Sequence, residues 1–151
     1  MTQLDPARKT AVVTGASAGV GKAASLQLLG LGWRVIGVGR DPARCAAAEA
    51  DIAAARPGAD FTMLRADLSL LSQTAALAER ISAIAPRIDA LCNNAGGVSA
   101  TRQMTGEGLE STLASNHLSP FLLTMRLMPC LAPRARVIAV SSTGHEHCPA
   151  I

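Results

Sequence analysis

The sequence predicts an α/β fold in which one parallel sheet is wound on both faces by helices, and three observations predict it. Short apolar runs alternate with amphipathic stretches along the chain. The runs, such as Ala11-Val12-Val13, have the length and continuity of strands buried on both faces. A glycine turn, Gly15-x-x-x-Gly19-x-Gly21, joins the first run to the first helical pattern. No linker, repeat or low-complexity break divides residues 1–151, so a single domain is expected.

The first strand is predicted over 10–14 and its helix over 19–30, with apolar Ala23, Ala24, Leu26, Leu28 and Leu29. Gly32 closes that helix, and the second strand covers Trp33 to Gly39 around Val35, Ile36 and Val38. Asp41 before Pro42 is a helix cap followed by a first-turn proline, which starts an alanine-rich helix to Ala55. Pro57-Gly58 stops it, and Phe61 to Arg65 forms the third strand. A helix from Leu70 to Ala85 ends before Pro86, and a fourth strand over Ile88 to Cys92 runs into Asn93-Asn94-Ala95-Gly96-Gly97. A long helix from Gly106 to Leu131 and a fifth strand over Arg136 to Ser141 complete the series. Right-handed crossovers then give the strand order 3-2-1-4-5, and a ligand belongs at the carboxyl ends of strands one and four, where the order reverses.

Composition narrows the function classes. With 49% hydrophobic and 17% charged residues the chain is globular, and with 2% aromatics and no tyrosine its core is aliphatic. The net charge of +3 is spread without a basic run or interleaved aromatics, which argues against nucleic acid as a partner. Cys45, Cys92, Cys130 and Cys148 form no C-x-x-C pair, so neither zinc nor a disulfide framework is expected, and a reducing cytoplasm fits. The cluster His145-Glu146-His147-Cys148 is too compact for an expected metal site. The amino terminus lacks an apolar signal core, and no run of 18 apolar residues could span a bilayer.

The glycine turn indicates where phosphates sit. One glycine permits a positive φ, one lets backbone approach a diphosphate, and one lets the helix lie close to the strand. The helix beginning at Gly19 offers unpaired N–H groups and the positive end of its dipole. A P-loop is excluded: five residues separate Gly15 from Gly21 where four are needed, and Ala23 stands where a magnesium-binding hydroxyl belongs.

Taken together, Thr14-Gly15-x-x-x-Gly19-x-Gly21, Asp67-Leu68, Asn93-Asn94-Ala95-Gly96, Asn116 and Val140-Ser141-Ser142 resemble the short-chain dehydrogenase/reductase family. Ser115-Asn116-His117-Leu118 before Phe121-Leu122-Leu123-Thr124 is most similar to its retinol-dehydrogenase-like branch. The resemblance covers the whole chain but only the amino-terminal half to two-thirds of the family's Rossmann domain. It implies that Gly15, Ser17, Gly19, Val20 and Gly21 hold a pyrophosphate and its ribose, that Asp67 and Leu68 border an adenine, and that Asn94, Ala95 and Gly96 line the adenosine side. Asp67 also reads as a simple turn cap, and the Asn pair as a brace between strands; both roles can hold at once.

The end of strand two separates NAD from NADP, because a carboxylate there accepts from a ribose 2′-hydroxyl whereas an arginine accommodates a 2′-phosphate. Asp41 is taken by the helix cap, leaving Arg40 for the phosphate, so NADP is expected over NAD. Pro120 has no N–H, so the carbonyl of Asn116 loses its helical partner, and a kink and an exposed acceptor are expected. The family uses that carbonyl to hold a water in a proton relay, and by the same resemblance Ser142 is the catalytic serine that polarises a substrate carbonyl. The substrate is then a small-molecule alcohol or carbonyl, and the sequence leaves the oligomeric state of the complete form open, a homo-oligomer being one of the states it allows.

In the family a Tyr-x-x-x-Lys pair follows the serine and acts as the proton donor and its activator. This sequence has no tyrosine, and its lysines are Lys9 and Lys22. The expectation is therefore a truncated short-chain oxidoreductase, inactive as the 151-residue chain, with a noncatalytic dinucleotide-binding module as the alternative and a methyltransferase on a similar sheet as a weaker third. The fifth strand would be a bare edge, with Leu91, Val137 and Ile138 short of partners and marginal stability or aggregation as a result.

Overall fold

Five parallel strands line up in the order β3-β2-β1-β4-β5 in the computed structural model, which describes residues 8–142. Their bounds are β1 Thr10–Thr14, β2 Arg34–Gly39, β3 Phe61–Arg65, β4 Ile88–Asn93 and β5 Leu131–Ala139. Between them lie α1 Gly19–Gly30, α2 Pro42–Ala55 and α3 Leu71–Ile84. A short turn of helix, α4 Ser111–Leu113, runs through a π-helical segment Ala114–Leu118 into α5 Ser119–Leu127, and Met128–Cys130 form a 3₁₀ turn. The expected strand order is observed. The residues 145–148 considered for metal lie outside the described residues, among which no metal-binding cluster occurs.

Alternation along the strands builds a core on each face. Val12, Ile36, Val38 and Leu91 point to the side packed by Leu77 and Ile81 of α3 and Leu123 and Leu127 of α5. Val13 and Val35 point to the other, against Leu29 of α1 and Ile52 of α2. β1 is buried at all five positions because it has a paired strand on each edge and helices on each face. At the amino ends of the strands, charge is matched locally. Asp60 pairs with Arg8 at 3.2 Å and Arg34 at 3.7 Å, Asp89 accepts from the Thr10 N–H at 3.0 Å and from Arg87 at 2.9 Å, and Lys9 stands over the Trp33 ring at 5.3 Å.

The first half of the chain follows the predicted bounds within a residue, and the second half departs from them. The helix expected over 106–131 begins only at Ser111, because Gly106 to Gly108 make a turn, with Gly108 at φ 75°, and Glu110 caps the start by accepting from Thr112 and Leu113 N–H at 2.9 and 2.7 Å. Pro120 does not simply kink an α-helix. The ladder widens instead into the π segment, where Ser119 N–H reaches Ala114 O.

β5 begins at Leu131 and not at Arg136, and ends at Ala139 and not at Ser141. Pairing jumps from Ile88↔Leu131 to Ala90↔Arg136, so the residues around Pro133, which cannot donate to a ladder, bulge out of the sheet. The expectation that Leu91 lacks partners is corrected: it is fully buried under α5. Val137 and Ile138, on opposite faces of β5, are 46% and 42% exposed. No helix among the described residues is long and apolar enough to cross a membrane.

Candidate functional site

A pocket of about 780 Å³ opens at the carboxyl ends of β1 to β4. Its inner wall is the glycine turn. Gly15 and Gly19 adopt φ 70° and 53°, a region that disfavours any residue with a Cβ, and a Cβ on Gly19 would meet nothing within 4 Å. Gly21 serves differently and does not line the pocket. A Cβ there would lie 2.3 Å from Gly15 O and 2.5 Å from Asn94 Nδ2, so its bareness lets α1 press against the turn. Ala18 precedes α1 without a side-chain cap, and Lys22 N–H makes the first backbone bond back to Ala18 O at 3.2 Å. Ser17, Gly19 and Val20 face the pocket at this end. The amide donors of the first turn are thus offered outward.

Arg40 stands on the pocket rim after β2, 74% exposed, with its Nη1 4.0 Å from Asp67 Oδ1. Asp41 does cap α2, accepting from Arg44 N–H at 2.8 Å, which leaves Arg40 outside the cap. Asp67 and Leu68, after β3, also line the pocket. The turn-cap reading of Asp67 holds, since its Oδ1 takes the Ser69 N–H at 2.9 Å and hydroxyl at 2.8 Å.

Asn94, Ala95 and Gly96 continue the wall after β4, and of the Asn pair Asn94 braces β4 to β1 as expected whereas Asn93 ties the sheet to α5 instead. Asn94 Nδ2 donates to Thr14 O at 2.8 Å, and Asn93 Nδ2 donates to Thr124 Oγ1 at 3.0 Å. Asn116 lies outside the lining. Its side-chain amide is clamped to Gly97, donating to Gly97 O at 2.8 Å and accepting from Gly97 N–H at 3.1 Å. Ser142 is exposed beyond the end of β5 and is not part of the lining.

Thr14, which opens the glycine motif but was given no role of its own, and Thr74 and Ser119, which sequence reasoning did not single out, hold the site together. The Thr14 hydroxyl accepts from Asn94 and Ala95 N–H at 3.0 and 2.9 Å and donates to Cys92 O at 3.3 Å, which uses all the capacity a hydroxyl has. A polar residue closing an apolar strand was the available signal. Buried Ser119 donates to Leu68 O and meets Thr74 Oγ1 at 2.9 Å, fixing the loop after β3 from beneath; nothing local in the sequence marks that contact.

Burial raises the thiols of Cys45, packed beneath Gly39, and Cys92, so both stay protonated and neither is an activated nucleophile. The site therefore offers amide donors, an arginine and small walls to an elongated anionic ligand.

A doubly wound parallel sheet with a glycine turn at its switch point defines the Rossmann class. Residues 9–150 match the short chain dehydrogenase family, and the chain belongs to it. Within the family it is retinol-dehydrogenase-like. It is 36% identical over 139 residues to retinol dehydrogenase 13 of Homo sapiens, covering 91% of this chain and 42% of that protein. Dehydrogenase/reductase SDR family member 13 of Homo sapiens is 39% identical over 139 residues, with 91% and 36% covered. A metagenomic short-chain oxidoreductase solved in complex with NADP superposes with a TM-score of 0.70 at 35% identity, over 81% of this chain and 55% of that one. The chain spans less than half the length of these curated relatives.

Proposed function

We propose that the pocket binds NADP(H) and that the complete protein is an oxidoreductase moving hydride between this cofactor and a small alcohol or carbonyl compound. The observation that carries the reading is the glycine turn, where two left-handed glycines, open space at Gly19 and an uncapped helix start coincide in one concave wall. Such a surface suits a diphosphate without a basic side chain. The cofactor, when bound, supplies the hydride or accepts it.

The residues of this chain bind and orient. Gly15, Ser17, Gly19 and Val20 receive the pyrophosphate and its ribose, with Gly21 holding α1 against them. Arg40 forks onto the 2′-phosphate, and its neighbour Asp67 takes the adenine amine with the carboxylate oxygen not engaged by Ser69. Ala95 and Gly96 leave room for the adenosine side, beside a braced Asn94. Ser142 polarises the substrate carbonyl, and the Asn116 main-chain carbonyl holds a relay water. The proton that completes an alcohol needs a donor these residues do not supply. No tyrosine is present, Lys22 pairs with Asp51, and Lys9 lies over Trp33 at the far end of the sheet.

The test is titration of this chain with NADPH and NADH. Arg40→Ala should weaken NADPH about tenfold to a hundredfold, the worth of one charge-assisted contact, and leave NADH unchanged. An Arg40→Ala chain with undiminished NADPH affinity would overturn the NADP assignment. NADPH binding without turnover is expected of both the truncated oxidoreductase and the noncatalytic module, whereas binding of neither NADPH nor NADH would overturn both for this chain.

A further inference from the structure

The outer wall of the pocket comes from the loop between β4 and α4, where Gln103, Met104 and Thr105 join the lining. This loop has little core to hold it, with Val98 90% exposed and Met104 56% exposed. Its ends are fixed by the Asn116 clamp on Gly97 and by the bond from Ser111 N–H to Gln103 O at 2.9 Å. Between those ends a tight turn, in which Thr105 N–H reaches Leu109 O at 2.8 Å and Gly108 N–H reaches Thr105 O at 3.0 Å, carries Glu107 at its tip.

Glu107 reaches away from its own turn. Helix α3 starts at Leu71 with no cap from its own sequence, since the preceding Leu70 has no polar side chain. The Glu107 carboxylate supplies the cap from 36 residues away, accepting from Leu71 N–H at 2.6 Å and from Ser72 N–H at 3.1 Å. An anionic acceptor is well placed at a helix start, where free N–H groups and the dipole both favour it. The contact joins two lining segments that share no strand: Gln103 to Thr105 on the loop, and Asp67 to Ser69 immediately before α3.

We infer that Glu107 is a positioning residue for the nucleotide pocket, pinning the outer loop to the start of α3 so that the wall stays closed around a bound dinucleotide. The inference rests on the nucleotide reading of the pocket. Its signature is kinetic. Without the pin, the hairpin from Gln103 to Ser111, tied within itself by the Gln103–Ser111 bond and the Met104–Glu110 bridge, swings as a unit about Gly97 and the start of α4, so the dinucleotide leaves faster, while the glycine turn that first captures its phosphates is untouched.

Stopped-flow displacement of NADPH from this chain tests it, with Glu107→Ala and Glu107→Gln beside the wild type and amide hydrogen exchange of the same three proteins without ligand. Glu107→Ala should release NADPH about tenfold faster, with association changed less than about twofold, the loss expected for one charge-assisted hydrogen bond. Glu107→Gln, which keeps the length and one acceptor oxygen, should fall between. Exchange should rise at Leu71 and Ser72 in both variants. If the wild type binds NADPH and a variant with a freed loop releases it at the wild-type rate, the assignment is overturned, whatever happens to the melting temperature. Should Glu107→Ala not fold, the same criterion applied to Glu107→Gln decides. A wild type that binds no NADPH overturns the nucleotide reading itself, and the inference with it.

Discussion

On its inner side the pocket is walled by backbone, where Gly15 and Gly19 take left-handed conformations and Gly21 lets α1 lie against the turn. On its outer side the wall is a loop held by side chains, in which Glu107 reaches α3, Glu110 starts α4 and Asn116 clamps Gly97. The inner wall is set by sterics within seven residues of sequence, from 15 to 21, and has no titratable group. The outer wall depends on contacts spanning 36 and 19 residues, and its acceptors are carboxylates and an amide. One cavity is thus closed by a rigid device and by a releasable one.

The sharpest way to break this contrast is Gly21→Ala. A Cβ 2.3 Å from Gly15 O meets backbone that cannot rotate away, so the turn or α1 must move. We expect a loss of about 3 kcal/mol in urea denaturation, at the upper end of overpacking costs. A variant as stable as the wild type would show that the inner wall is as yielding as the outer one.

A smaller effect is expected where the two walls meet. Thr14→Val keeps the shape of the side chain but strips the acceptor shared by Asn94 and Ala95 N–H, leaving two amides without it. The expected cost is about 2 kcal/mol, with raised hydrogen exchange at residues 94 and 95 and not at residues 19 to 21.

The smallest effect separates the walls by acid. Hydrogen bonds from Ser72 and Leu71 hold the Glu107 carboxyl below its ordinary value of 4.5, and those from Thr112 and Leu113 do the same for Glu110. A carboxyl depressed by folding contributes its stability fully above the ordinary value and loses it as pH falls through the lowered one. Amide resonances of Leu71, Ser72, Thr112 and Leu113 should therefore shift together, with midpoints below 4.5, while those of Gly15, Gly19 and Gly21 stay still. Glycine resonances that moved with the carboxylates would mean the walls are not independent.

The same division explains what the sequence made legible. The order of the sheet, β1, α1, β3 and the Asp41 cap follow from apolar period, glycine spacing and a proline, all of them local signals. Ten of the thirteen proposed site residues line one pocket, because a parallel sheet brings strand ends together wherever they stand in the chain. Beyond β4 local signals mislead. The apolar stretch after Gly106 suits one long helix, yet Gly108 turns the chain, Pro120 is accommodated in a π segment and Pro133 bulges β5. Glu107 and Ser119 were invisible because their partners, Leu71 and Leu68, lie far away and are backbone groups, which no side-chain pattern announces.

Trp33, beneath Lys9, is the chain's single tryptophan, and no tyrosine accompanies it. It sits at the amino end of β2, whereas Arg40 and the pocket lie past the carboxyl end, about 20 Å away along six strand residues. Intrinsic fluorescence therefore has one lamp, placed opposite the mouth. Its colour follows unfolding of the sheet and is insensitive to the loop that Glu107 holds, while quenching by energy transfer to a reduced nicotinamide would measure the length of the domain.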